Sequence, residues 1–192
     1  GLGMRLQGTA ALQMPPEGAY ALETELEARG IRFGEALLFG TRTIHITGDA
    51  ALARDISTVQ VSALKLDVDE DTGAEASAVE VDLGTGVGRA ELGMRVNLMP
   101  LAPLFGLPEL WGRVQASGPV EWDTEHVHGE WSAEATTLGY GDWSIPYGVP
   151  LKTAGTAEAA LDMSAVSARN VSFSLGEATK GQLAEAVWTG GE

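Results

Sequence analysis

From Arg89 to Leu98 the chain alternates. Ala90, Leu92, Met94, Val96 and Leu98 occupy every second position, with Arg89, Glu91, Arg95 and Asn97 among the residues between them. A two-residue period puts all five apolar side chains on one side of a strand, whereas a helix would scatter them around its circumference. A second run starts at Arg113, where Val114, Ala116, Val120 and Trp122 oppose Arg113, Gln115, Ser117 and Glu121. The apolar insert between them, MPLAPLFGLPELWG, carries Pro100, Pro103 and Pro108, each lacking an amide donor. It cannot be a central strand, and the expectation is one short helical turn at about 100–109 lying against a sheet.

The same period recurs along the chain. Residues 4–14 read as a first strand interrupted at Gly8. After the Pro15–Gly18 turn, Tyr20, Leu22, Thr24, Leu26 and Ala28 face away from Glu23, Glu25, Glu27 and Arg29. Ala, Leu and Glu favour helix, but Leu22 and Leu26 would give a helix only a thin apolar stripe, so strand is the reading. Residues 31–47 suggest two strands. In residues 56–69, Val59 and Val61 are out of phase with Leu64, Leu66 and Val68, a slip that a bulge would absorb. Val79, Val81 and Leu83 form the returning strand. Val127 to Ala135, Leu161 to Ala165, Val171 to Leu175 and the AEAVW near residue 188 supply the rest, with a glycine- and proline-bounded loop at 138–150. A weak echo, Gly8-Thr-Ala-Ala-Leu12 against Gly48-Asp-Ala-Ala-Leu52 and more loosely at Gly118 and Gly155, suggests glycines that open successive meanders.

The pattern predicts an all-β protein: one long curved antiparallel sheet, groove-like or folded like a taco, over 1–192 as a single β-rich segment. One face is acidic and wet, and the other is lined by Ala, Val, Leu and Met. Composition agrees with this. Apolar residues make up 44% but aromatics only 6%, and 25 glycines with 8 prolines punctuate short elements. The net charge of -15 argues against nucleic acid and anionic headgroups as partners. With no cysteine there is neither a disulfide scaffold nor a thiolate metal site. No apolar run reaches the roughly 20 residues of a membrane-spanning helix. The chain begins Gly-Leu-Gly without an initiator Met, so the expectation is a segment of a longer, repeat-containing envelope protein.

The succession of an alternating strand, Pro100-Leu-Ala-Pro-Leu-Phe-Gly-Leu107, Leu110-Trp-Gly-Arg-Val114 and Gly118-Pro-Val120 resembles the AsmA/TamB-like proteins of Gram-negative bacteria. The likeness is one of texture over most of the chain, with no catalytic motif to match. It implies a non-enzymatic periplasmic module, tethered to the inner membrane through a segment outside this chain. Such a module offers an apolar groove for phospholipid transfer or outer-membrane assembly. Lipid acyl chains would be the partner, with other envelope proteins or neighbouring repeats of the same chain beside them. The residues expected to line the groove are Leu92, Met94, Val96, Leu98, Val114, Val120 and Trp122. A second implied role is that of the periplasmic region of the N subunit of type II secretion, which would contact other secretion proteins.

Four clusters invite chemistry. Val81-Asp-Leu-Gly-Thr-Gly-Val-Gly88 resembles the first motif of the S-adenosylmethionine-dependent methyltransferases and would implicate Asp82, Gly84, Gly86 and Gly88. That family needs flanking helices, and the residues that follow alternate with period two, so a glycine-rich hairpin is preferred. Asp67, Asp69 and Asp71 alternate as calcium ligands can, but Thr72 and Ala78 stand where an EF-hand needs Gly and Glu. His126 and His128 share a strand face with carboxylates nearby, but it is the wet face, with only His45 as a third imidazole. Trp122, Trp131, Tyr140, Trp143 and Tyr147 cluster beside carboxylates, as a carbohydrate site would. Periodicity assigns Trp122 and Trp131 to the apolar face and leaves Trp143 and Tyr147 open. No catalytic residue, cofactor or metal is expected.

Overall fold

The computed structural model describes residues 2–33, 36–37, 42–102, 107–162, 164–177 and 179–189. Among the described residues thirteen strands form one sheet: β1 (Leu2–Gln13), β2 (Tyr20–Phe33), β3 (Ala36–Leu37), β4 (Thr43–Leu52), β5 (Thr58–Asp69), β6 (Thr72–Asp82), β7 (Gly88–Asn97), β8 (Leu110–Trp122), β9 (His126–Tyr140), β10 (Trp143–Ser144), β11 (Leu151–Ala160), β12 (Ala165–Leu175) and β13 (Thr179–Thr189). Eleven of them follow one another in space as a continuous antiparallel meander from β1 to β13. Short β3 pairs with β2 and short β10 with β9, off that path. Among the described residues β1 and β13 do not pair, so the sheet is an open, curved one with two edges, as the alternation predicted.

Register carries the two-residue period from strand to strand. One row takes a residue from each of the eleven strands: Gly8, Leu26, Ile46, Leu66, Ala74, Met94, Ala116, Ala133, Thr153, Phe173 and Gly181. The row one residue along is Gln7, Glu27, His45, Asp67, Gly73, Arg95, Gln115, Glu134, Lys152, Ser174 and Lys180. Successive side chains on a strand point to opposite faces. The sheet therefore has an apolar face and a polar face from edge to edge.

The slip in β5 is a bulge. Ala50 pairs with Val61 while Asp49 pairs with Ala63, so Ser62 is an extra residue against β4. The neighbouring strand β6 slips at the same level: Ser77 pairs with Glu91 but Glu80 with Arg89. Ala78, in that gap, takes φ 51. Both apolar sets of β5 are thereby returned to one face. A third slip, at Asn170 with φ 54, does the same for Ala168 and Val171 of β12.

The strand expected over Leu161 to Ala165 is not one: Leu161 and Asp162 turn between β11 and β12, and Ala165 opens β12. Two further sequence expectations need correcting. β1 is not interrupted at Gly8; its irregularity lies between Gly3 and Arg5. The echoed Gly8, Gly48, Gly118 and Gly155 do not open meanders but sit inside β1, β4, β8 and β11. At Gly8 and Gly118 a side chain would collide with the neighbouring strand's backbone, at 2.2 Å from the Glu25 carbonyl oxygen and 2.0 Å from that of Glu130. Close strand approach, not turn entry, is what these two glycines permit.

The insert after β7 opens as a single helical turn, in which the amides of Leu101 and Ala102 both donate to the Leu98 carbonyl. Ala102 is buried, and residues 103–106 of the expected insert lie outside the described ones. The most buried apolar cluster is small: Ala28, Ile44 and Val68, flanked by Ile46 and Leu66, at the β2–β4–β5 end of the apolar face.

Candidate functional site: the apolar face

Six of the seven residues expected to line a groove lie on strands and share the apolar face. Val96 pairs with Val114, Met94 with Ala116, Leu92 with Gly118, Ala90 with Val120, and Gly88 with Trp122. Leu98 stands just beyond β7, its amide donating to Gly112 at 2.8 Å. The field extends well past these seven. Leu64 and Leu22 continue it toward β1, while Phe173 and Leu183 continue it toward β13. Its large side chains stay wet: Met94 is 48% exposed, Leu92 40%, Phe173 43% and Leu183 47%. A sheet face of this kind gains about 25 cal/mol for each Å² removed from water, so it favours any apolar layer laid on it.

Aromatic rings and glycines face each other across the strands. Trp122 stands opposite Gly88, Trp111 opposite Gly139, Trp131 opposite Gly155 and Phe173 opposite Gly181. In each pair the ring lies where a side chain on the glycine would grow, within 2.1 to 3.3 Å. The ring covers backbone that glycine leaves bare. Sequence periodicity placed Trp122 and Trp131 on the apolar face but could not reveal this pairing, because the partners lie up to 34 residues away.

A trough lies on the other face. It holds about 1060 Å³ and crosses seven strands from β6 to β13, with three consecutive residues lining it on each. These are the row of Met94 and the polar rows on either side of it. Leu92 and Val96, Met94's neighbours on the apolar face, two residues to either side of it, take no part. By alternation, the side chains that line the trough are polar ones such as Glu75, Arg95, Gln115, Glu134 and Lys152, and Met94's row contributes backbone. Of the seven residues expected to line a groove, Met94 alone borders this trough.

The polar face is laced with ion pairs. Asp67 is held by Arg95, Asp69 by Arg42, and Asp71 by Arg113 at 2.7 Å. The three aspartates considered as calcium ligands thus each take an arginine. Asp69 lies below its ordinary pKa: burial, the largest influence, opposes this, but the Asp71 amide, Arg42 and Thr72 outweigh it. Arg169 bridges Glu158 and Glu185 on the strands to either side, and the Glu185 hydrogen bond raises its pKa. His128 meets Glu121 at 3.2 Å and His126 lies 4.0 Å from Asp123. His45 is on β4, beside Glu27, with four strands between it and β9.

The glycine-rich stretch from Val81 to Gly88 is the β6–β7 hairpin. Asp82 accepts from the amides of Gly84 and Thr85 at 2.8 and 2.9 Å, and the Gly86 amide donates to the Asp82 carbonyl. These bonds close a turn, and strand β7 follows where the methyltransferase motif needs a helix. The Thr85 and Gly84 amides hold the Asp82 carboxyl below its ordinary pKa. Asp123 is lowered in the same way by the amides of Glu125 and His126. At Asp55 and Asp162 the hydroxyls of Ser57 and Ser164 lead, with the amides of the same serines behind them.

Comparison with family models, with curated proteins and with solved structures gives no match. The chain's class is one of architecture: an open antiparallel meander with one apolar and one polar face.

Proposed function

We propose that this chain is a non-enzymatic module of a Gram-negative cell envelope, working in the periplasm, whose apolar face carries phospholipid acyl chains for lipid transfer or outer-membrane assembly. One observation supports the reading above the rest: a mainly apolar face spans eleven strands, and away from the Ala28–Ile44–Val68 cluster its large side chains Leu92, Met94, Phe173 and Leu183 remain exposed. Acyl chains suit such a surface because they need burial and no specific hydrogen bonds. The acidic charge of -15 fits contact through the tails and disfavours contact with anionic headgroups. Leu92, Met94, Val96, Val114, Val120 and Trp122 form the middle of the track, and Leu98 lies at its end.

The test is mass spectrometry of lipids extracted from the purified chain, joined to a vesicle-to-vesicle transfer assay. Phospholipid should co-purify, and Leu92→Glu with Met94→Glu should remove both the lipid and the transfer while the strand spectrum is kept. Lipid-free protein that also fails to move fluorescent phospholipid would sink the reading.

A further inference from the structure

The loop between β9 and β11 fastens itself down and still leaves aromatic rings in water. Tyr140 and Trp143 are direct partners in the β9–β10 pair, joined by Gly141 at φ 57 and Asp142. Cross-strand partners share a face, so both rings stand on the same side. They are 46% and 61% exposed. On the opposite side Trp111 lies over Gly139 and donates its Nε1–H to the Gly141 carbonyl at 3.3 Å. The Gly141 amide donates to the Glu109 carbonyl, and the amide of buried Ile145 donates to Leu138. A turn closed by the Val149 amide on the Pro146 carbonyl then presents Tyr147, which is 97% exposed. A loop tied at this many points holds its rings in place, and rings held in water gain from a ligand that covers them.

The flanking groups narrow the ligand. Asp142 occupies the turn between the two rings, and Glu109 Oε2 lies 3.0 Å from where a side chain on Gly141 would begin. Residues 138–151 contain no lysine or arginine. The two carboxylates disfavour an anionic ligand. Immersion in a lipid surface would strip water from both of them without compensation. A neutral sugar fits both features: its C–H faces stack on aromatic rings, and its hydroxyls donate to carboxylates.

We propose that this loop is a binding site for a neutral oligosaccharide, with Trp143 and Tyr147 as stacking platforms and Asp142 and Glu109 as hydroxyl acceptors. The site binds and makes or breaks no covalent bond. Tyr140 also pairs with Leu110, on the Val114 side of β8, so the rings of Tyr140 and Trp143 stand at one end of the apolar face, but the sugar reading is argued from the loop's own rings and carboxylates and does not rest on the lipid one.

Titration of the full chain with cellohexaose, maltohexaose and chitohexaose, each to about 10 mM, followed by calorimetry and tryptophan fluorescence, tests the site. At least one should bind saturably. Trp143→Ala and Tyr147→Ala should each weaken it by about tenfold or more, while Trp188→Ala on β13 leaves it unchanged. Circular dichroism checks that each variant keeps its strands. The proposal is overturned if no sugar binds the parent chain, or if Trp188→Ala weakens binding equally. It also fails if Trp143→Ala abolishes adsorption to phosphatidylcholine vesicles instead.

Discussion

Trp122 stands directly across from Gly88, and its ring carbon Cζ2 lies 2.2 Å from the point where a side chain at 88 would begin. The ring and the missing side chain are one packing unit. Gly88→Ala must push the indole aside, and overpacking of this kind costs about 1–3 kcal/mol. Urea unfolding should show that loss in the parent chain and less of it in a Trp122→Ala background, where the indole has gone and only the Glu80 carbonyl oxygen, at 2.9 Å, still crowds the new side chain. An equal loss in both would mean that the two residues are independent.

Ala78 and Ile56 hold left-handed backbone at φ 51 and 58. For a residue with a Cβ this conformation costs about 1–2 kcal/mol. Ala78→Gly and Ile56→Gly should therefore raise stability, by up to about 1 kcal/mol each after glycine's own entropy is counted. Both should raise the thermal midpoint, whereas Gly48→Ala, in an extended strand interior, should not.

Four turn aspartates, Asp55, Asp82, Asp123 and Asp162, have depressed pKa values in the folded chain. A carboxylate whose folded pKa is depressed binds protons more readily when unfolded. Its stabilisation is present above its unfolded value of about 3.9 and is lost as pH falls through the lower folded value. Protonation of other carboxylates above that point relieves the self-repulsion of a chain charged at -15. Thermal midpoints should then hold or rise from pH 7 toward about 4.5 and drop below about 4. Replacing the four by Asn should flatten that drop.

Because Asp67, Asp69 and Asp71 each hold an arginine, millimolar calcium should leave the thermal midpoint of the parent chain unchanged. Arg42→Gln, Arg95→Gln and Arg113→Gln should each cost no more than about 1 kcal/mol, the range of exposed ion pairs, and less in high salt. A calcium-dependent rise in the parent chain would show that the aspartates prefer the metal.

Edge strands have unpaired backbone on one side. Hydrogen exchange should be fastest in β1 and β13 and slowest in β5 to β9, which have neighbours on both sides. Uniform protection out to β13 would mean that something covers that edge in solution.

Much of this was legible in residue order. Leu92, Met94 and Val96 against Glu91 and Arg95 specify a strand and its wet side, because a strand's side chains have no other period. The mismatch between Val61 and Leu64 specifies a bulge, because a one-residue slip would otherwise send every later apolar side chain to the wrong face. The Asp82 glycine turn was readable as a hairpin from the alternation that follows it.

Other features arise only when strands are laid side by side. That Trp131 covers Gly155 depends on the register between β9 and β11. That three arginines from different parts of the chain reach Asp67, Asp69 and Asp71 depends on the order of strands. The placement of the trough over Arg95 and Lys152 rather than over Leu92 depends on how the whole sheet bends. Alternation fixes the face to which a side chain belongs, but it cannot fix that side chain's neighbours, which are set by backbone hydrogen bonds between strands.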